Sequence, residues 1–367
     1  MPISELPAHI EELTAQCIDD RLHARGHLTT ECVTSLRVEP LQTEGIGFLS
    51  ALARLHITYD RPVDLPRTMI VKAEIENPAC RKFVDSFHGF QREIWFFENI
   101  APHSPIRLPR VFDTHFVEDA PMLLMEDLGG GIQGDQVAGL DPQHVRATIE
   151  NIARFHARWW GLRDPLLANA EPWLSRPFTD FVEAYRAAWP GYLELHAETL
   201  RGRGWDRLGA EIGERFPEFA GVEVGGPLTL VHFDLRADNL LFDVPDTGTR
   251  AIMLDWQQIH AASGSFDFAR LVAGSLSSDH RRQLAGELFE LWHGTLLEGG
   301  VADYSREQAW HEVRLAVGLC MIIAVGHEQL RRSSGNRRAL ALSDVMRERF
   351  FSAAEELDSL GALSDLQ

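Results

Sequence analysis

The spacing of apolar residues along this chain changes period several times, and each change predicts an element. Residues 3–25 carry Ile10, Leu13, Cys17 and Ile18 at helical spacing, and Gly26 follows as a stop. From residue 34 the period becomes that of strands: TSLRVEPL, TEGIGFLS, ALARLHITYD and, after a turn around Pro62–Pro66, RTMIVKAEI. Helical spacing returns over 79–100, on Phe83, Phe87, Phe90, Ile94, Phe97 and Ile100, and ends before APHSP. RLPRVFDTHFVED and APMLLMEDL predict two more strands joined by an acidic turn, after which GGGIQGD breaks the pattern and residues 129–134 read as a linker. Beyond the linker the pattern is mostly helical, over 142–161, 178–197, 206–216, 279–298 and 306–331, with short strands in LTLVHFD, NLLFD and AIMLDW. The chain shows no internal repeat and no low-complexity segment. An α+β architecture follows: a small sheet-rich lobe over 1–128, with a leading helix and one further helix, and a larger, mostly helical lobe over 129–367.

Composition agrees with two lobes. A chain of 367 residues is long for a single core, and 45% hydrophobic with 24% charged residues is the balance of a folded protein. The 35 Lys+Arg against 54 Asp+Glu give −19, which argues against nucleic acid or an anionic membrane as partner. Solubility is the plain reading of that charge, and it favours a cationic substrate only weakly. Cys17, Cys32, Cys80 and Cys320 show no CxxC spacing, so neither a zinc site nor a disulfide framework is indicated, and a reducing cytoplasm is the expected compartment. The start, MPISELPAHIEEL, lacks the basic and apolar regions of a signal peptide. The longest apolar run, LAVGLCMIIAVG at 315–326, is short for a membrane span and reads as a buried helix.

Candidate chemistry concentrates in TLVHFDLRADNLLFD, residues 229–243, where charged groups interrupt apolar runs. His232, Phe233 and Asp234 are followed by Asn239, five residues after the aspartate. Phosphoryl transfer to a hydroxyl needs a carboxylate beside the attacking oxygen and an oxygen ligand for Mg²⁺ nearby, and this loop offers both. Asp255 ends the apolar strand of AIMLDWQ, where an unpaired buried carboxylate would cost several kcal/mol and a metal ion would account for it. Turn capping by Asp234 and Asp255 is the alternative. Lys72 lies within the apolar MIVKAEI, and Glu93 follows on the next predicted helix. A lysine held by a helix glutamate grips the α/β-phosphates of ATP in kinases, whereas an edge-strand lysine with its head in water is the alternative.

These segments together resemble the aminoglycoside phosphotransferase, choline kinase and ecdysteroid kinase-like group of the protein-kinase-like superfamily. VHFDLRADNLLF is similar to its catalytic loop, IMLDWQ to its metal-binding strand end and MIVKAEI to its lysine strand. QREIWFFENI resembles the lysine-pairing helix, LLMEDL the hinge and IARFHARWWG a large-lobe helix, over about residues 30–330 in all. The resemblance implies a protein-kinase-like two-lobe fold, with ATP and Mg²⁺ as cofactors. It implies Asp234 as catalytic base, Asn239 and Asp255 as Mg²⁺ ligands, Lys72 on the phosphates and Glu93 orienting it. Backbone groups of Glu126 and Leu128 would bind adenine, and His232 would brace the loop. Asp267, in GSFDFARLV, matches an aspartate at the start of the next helix, with an N-cap role or a catalytic one. Phe233 departs from the small or polar residue usual between His and Asp. TEGIGFLS lacks G-x-G-x-x-G, so Gly45 and Gly47 serve either phosphate or a plain β-turn.

Eleven residues separate Asp255 from Asp267, too few for a protein kinase's activation loop, and no A-P-E follows. A small hydroxylated molecule is therefore the expected acceptor. Trp159, Trp160, Trp173, Trp189 and Trp205 are candidates to line an apolar acceptor pocket, or else ordinary core. VHFDLRADNLLF with LDWQ is more similar to the ecdysteroid-kinase-like and acyl-CoA-dehydrogenase-associated branch, which implies a steroid-like, lipid-like or hydroxyacyl acceptor. An antibiotic phosphotransferase and a nucleotide-binding scaffold without activity are the other readings.

Overall fold

The computed structural model describes residues 9–41, 50–75, 77–116, 120–167, 170, 172–174, 179–243, 248–333 and 337–365. Gly45 and Gly47, and most of the TEGIGFLS strand, lie outside them. The chain divides into two compact units: Met1–His103 with Leu108–Gly131 and Leu254–Gln258, and Ser104–Arg107 with Ile132–Met253 and Ile259–Gln367.

The first unit is built on an antiparallel sheet in the order β1-β2-β3-β5-β4, from β1 (Val33–Pro40), β2 (Ser50–Tyr59), β3 (Thr68–Glu74), β4 (Val111–His115) and β5 (Met122–Glu126). Helix α1 (Ala15–Ala24) starts where the Thr14 hydroxyl accepts from the Cys17 N–H. Ile18 and Leu22 of α1 join Leu55, Met69, Val71, Phe112 and Leu124 in the core of this unit. A buried ion pair fixes α1 to β4, with Arg21 Nε donating to Asp113 at 2.5 Å.

The single helix predicted over 79–100 is two. Helix α2 (Pro78–Ser86) ends before His88, whose φ of +59° is left-handed, and α3 (Gly89–Trp95) runs on into a wider turn over Phe96–Ile100. At Gly89 a Cβ would stand 2.6 Å from Val84 Cγ1, so the chain reverses there only because no side chain intervenes. Arg92 Nε donates to the Phe87 carbonyl at 2.7 Å and satisfies the end of α2.

The second unit carries the helices α4 (Pro142–Arg158), α5 (Thr179–Leu195), α6 (Ala197–Arg203), α7 (Trp205–Gly225), α8 (Ser265–Ser275), α9 (Ser278–Glu298), α10 (Arg306–Leu319), α11 (Met321–Val325), α12 (Glu328–Ser333), α13 (Arg337–Glu356) and α14 (Ser359–Ser364). Two small antiparallel sheets support them: β6 (Ile132–Gln133), β8 (Leu240–Asp243) and β9 (Arg250–Met253) in the order β6-β8-β9, and β7 (Thr229–Val231) with β10 (His260–Ala262). Asp141 and Ser277 cap α4 and α9 by accepting from Gln143 N and His280 N. The predicted helix 306–331 is broken into α10, α11 and α12. Its stretch Arg306–Val325 is long and apolar enough to cross a membrane, yet most of it is buried inside this unit.

Three segments depart from the boundary expected at residue 128: residues 129–131 and Leu254–Gln258 fall in the first unit, and Ser104–Arg107 in the second. Ile132–Gly134 is no free linker: Ile132 and Gln133 pair with β8, and Gly134 N donates to the Leu240 carbonyl. A Cβ on Gly134 would stand 2.2 Å from the Ala237 carbonyl oxygen, so this glycine is a close backbone approach. Leu254–Gln258 belongs with the first unit, because Trp256 stacks on Phe96 at 4.0 Å and Gln257 Nε2 donates to Ser50 Oγ.

Candidate functional site

In the first unit, Lys72 sits on β3 between Leu52 of β2 and Leu123 of β5. That is the middle of the sheet, so an edge-strand lysine reaching water does not describe it. Its Nζ lies 2.7 Å from Glu93 Oε2 and 2.8 Å from Asp255 Oδ1, with the lysine side chain 8% and the glutamate 1% exposed. Glu93 is projected by α3, and its Oε1 accepts from Trp256 N at 3.3 Å, so the same carboxylate holds the lysine and the backbone beside Asp255. Burial would strip Lys72 of its proton, but Asp255 and Glu93 outweigh it and hold the ammonium above the ordinary lysine range. Asp255 has φ +63°, a strained conformation for an aspartate at the point where the strand ends.

The hinge residues follow β5. Glu126 N donates to the Arg110 carbonyl at 2.8 Å and its Oε2 accepts from Arg110 N. The Leu128 carbonyl accepts from Gly131 N, and between them Asp127 pairs with Arg54 at 2.7 Å.

The second unit holds the loop after β7. Asp267, third residue of α8 and fully buried, accepts from His232 N at 2.7 Å and Phe233 N at 2.8 Å, one on each carboxylate oxygen. Gly264, without a side chain, occupies the N-cap position, so of the two alternatives left open for Asp267 the N-cap role is not what the residue does. It braces the loop from inside. Trp292 Nε1 donates to His156 Nδ1, so His156 Nε2 carries the proton that points at Asp267 from 3.2 Å. His156 stands in the IARFHARWWG helix. His232 is buried in the same braced turn.

Phe233, held by this brace, has φ +69°, and stacks on Phe266 and edge-on against His260, both at 4.2 Å. Asp234 follows, 27% exposed. Asn239 Nδ2 donates to its Oδ2 at 3.0 Å and to its carbonyl at 2.9 Å. Arg270 Nη2 donates to Oδ1 at 3.0 Å, and Arg236 Nε reaches Oδ2 at 3.3 Å. Burial pushes the Asp234 carboxyl up, but Arg236 and Arg270 overcome it and hold the group below the usual aspartate range. Turn capping therefore does not describe Asp234.

Arg236 and Arg270 are missing from the sequence reading. Arg236 lies between two carboxylates in DLRAD and bridges Asp234 to the buried Asp238, which it meets at 2.7 Å. Arg270 is the single cation of the otherwise apolar SFDFARLVAGS, a signal of the same kind as Lys72. Gln136, from the segment read as leaving the linker, donates its N–H to Asp238 and accepts from Ala237 N at 2.6 Å, fixing the loop from its far side. Three of the candidate tryptophans serve packing: Trp159 and Trp205 are 1% exposed, and Trp189 stacks against Tyr185, Tyr192 and Phe351, while Trp160 and Trp173 are half-buried.

Magnesium takes hard oxygen ligands, and the donors suit it. With Nδ2 turned to Asp234, Asn239 keeps its amide oxygen to offer, and Asp255 presents a carboxylate 34% exposed.

An antiparallel unit whose central-strand lysine pairs with a helix glutamate, and a helical unit with a braced Asp–Asn loop, define the two lobes of a kinase-like fold. The chain belongs to the phosphotransferase enzyme family (APH), which it matches over residues 77–314. It is 29% identical over 238 residues to an uncharacterized kinase-like protein of Caenorhabditis elegans, a match spanning 60% of this chain and 60% of that protein. Among solved structures, the Plasmodium vivax ethanolamine kinase shares 12% identity with a TM-score of 0.51, covering 87% of this chain and 81% of that one. The GDP and kanamycin complex of APH(2")-IIia shares 13% identity with a TM-score of 0.53, covering 92% and 99%. At these identities the likeness is one of fold.

Proposed function

We propose that this protein is an ATP- and Mg²⁺-dependent small-molecule kinase that transfers a γ-phosphoryl group to a hydroxyl of a small, uncharged and largely apolar metabolite. The observation that carries the reading is the Asp234–Asn239 pair at 3.0 Å, on a loop whose two preceding N–H groups are held by Asp267.

Asp234 is the carboxylate that receives the acceptor hydroxyl. Held below its ordinary pKa, it is a weak base: it orients the attacking oxygen throughout and takes the proton late, as suits a transition state with little bond formation to the nucleophile. Lys72, kept charged and straightened by Glu93, pairs the α/β-phosphates. Asn239 of the second unit and Asp255 of the first would each offer an oxygen to Mg²⁺, which would supply charge compensation for the phosphates. At the hinge, the Glu126 N–H is committed to Arg110, and the adenine contacts are assigned to the backbone around Glu126 and Leu128.

The acceptor is read from the groups around Asp234. Arg236 and Arg270 engage both of its carboxylate oxygens, which opposes a cationic amine at that point. Phe233, with Phe181 at 5.6 Å and Phe266 at 4.2 Å, supplies an aromatic flank. These features favour an uncharged, apolar alcohol over an aminoglycoside, and the retention of Lys72, Asp234, Asn239 and Asp255 argues against an inactive scaffold.

The test is thermal stability of the chain with ATP, GTP and Mg²⁺, followed by mass spectrometry of a panel of hydroxylated metabolites incubated with the stabilising nucleotide. A Mg²⁺-dependent stabilisation and phosphate gain confined to apolar alcohols is expected. Phosphate gain by cationic amino alcohols alone would overturn the acceptor assignment, and no nucleotide effect would overturn the kinase assignment.

A further inference from the structure

On the first unit, remote in sequence from every residue placed in the proposed chemistry, α1 and the residue just before β1 bring together Asp19, His23 and Cys32, one ligand atom from each within 4.8 Å of the others. We propose that these three side chains form a binding site for a single Zn²⁺ ion, with the remaining coordination position open to water.

The residue types are those zinc prefers: a thiolate, an imidazole and a carboxylate. The sequence conceals the set because no two cysteines are close. Asp19 and His23 instead lie one helical turn apart on α1, which puts them on one face, and the turn after the helix returns Cys32 to that face.

Asp19 and Cys32 are positioned by contacts that need no metal. Asp19 Oδ1 accepts from Val33 N at 2.6 Å, which orients the carboxylate and leaves Oδ2 turned to His23. Cys32 is clamped through its backbone, with its N–H donating to Asp60 Oδ1 at 2.9 Å and its carbonyl accepting from Asp60 N at 3.0 Å. Glu31 folds the turn before it by accepting from Thr29 N, Thr29 Oγ1 and Thr30 N. Such support is what an ordered metal site requires.

The spacing also fits. Asp19 Oδ2 and His23 Nε2 face each other at 3.7 Å, beyond a hydrogen bond. Zinc bonds of about 2.0 Å to oxygen and nitrogen at a tetrahedral angle put such ligands roughly 3.3 Å apart, so a small closing movement completes the edge. With Cys32 exposed and the His23 side chain 30% exposed, the ion would be reached from solvent and would keep a water. A bound ion would tie α1 to β1 by stabilising the folded state over the unfolded one.

The experiment is titration of the full-length chain with Zn²⁺ and, separately, with Co²⁺, comparing the parent with Cys32→Ser and His23→Gln. Both substituted side chains are at least partly exposed, so the variants should fold, and the melting temperature without metal checks this. The expected result is one Zn²⁺ per chain with a raised melting temperature, a near-ultraviolet thiolate-to-cobalt absorption in the parent, and loss of both in each variant. Mg²⁺ should compete poorly because thiolate and imidazole are poor ligands for it. Zinc binding that persists unchanged in both variants, or no binding by the parent, overturns the site.

Discussion

Phe233 and Asp255 both take a left-handed backbone, with φ of +69° and +63°, Phe233 next to Asp234 in the second unit and Asp255 beside Lys72 in the first. For Phe233 that conformation costs about 1–2 kcal/mol, and its aromatic contacts with Phe266 and His260 offset it. Replacing Phe233 with Ala removes the stacking and keeps the strain, whereas Gly removes both. Phe233→Gly is therefore expected to be more stable than Phe233→Ala by about 1 kcal/mol in urea unfolding; the reverse order would mean that the strain is absent. Arg270 supplies a second expectation. Because its guanidinium helps keep Asp234 ionised, and the reaction needs the carboxylate, the acid limb of kcat/KM should lie below the usual aspartate range. Arg270→Met should move that limb to higher pH. An unmoved limb would separate Arg270 from the titration of Asp234. Lys72 gives a third: Lys72→Met leaves Glu93 buried without its cation and should cost about 3–5 kcal/mol, part of which Glu93→Gln restores. An additive double variant in denaturant unfolding would argue against the pair.

Helix α8 is buried along its whole length, and this explains both what was legible in its sequence and what was not. Its apolar run announces a core helix, but periodicity cannot say that Asp267 turns back to hold the N–H groups of His232 and Phe233, since that bond depends on where β7 ends. Asp267→Ala leaves both buried N–H groups without their acceptor. At about 1–3 kcal/mol each, the loss is expected to reach roughly 2–5 kcal/mol by urea unfolding. A change under 1 kcal/mol would mean that the loop does not rest on this carboxylate. The break between α2 and α3 was missed for a related reason: apolar spacing continues through it, and only the approach of Val84 to Gly89 marks the reversal. Gly134 was read as loosening the chain, yet it is a point of tight packing against Ala237. Glycine in a sequence does not distinguish freedom from crowding.

At the scale of the molecule, the change from strand to helix period was enough for the two-lobe division, because β1, β2 and β3 keep a strand period and α4, α5, α7, α9, α10 and α13 each run fourteen residues or more. The candidate site was legible at Lys72, Asp234 and Asp255, where a charged residue interrupts an apolar run, although the same signal at Arg270 was passed over. It was not legible where charge sits among other charge or polar loop residues, as with Arg236, Gln136 and the Asp19–His23–Cys32 group, whose meaning comes only from tertiary contacts. The most direct test of the central claim is phosphate transfer from Mg-ATP to the acceptor class found by the metabolite panel, followed in the parent and in Asp234→Asn. Asp234→Asn should lose transfer by about 10²–10⁴-fold while Mg-ATP still raises its melting temperature as in the parent; undiminished transfer by Asp234→Asn would contradict the account.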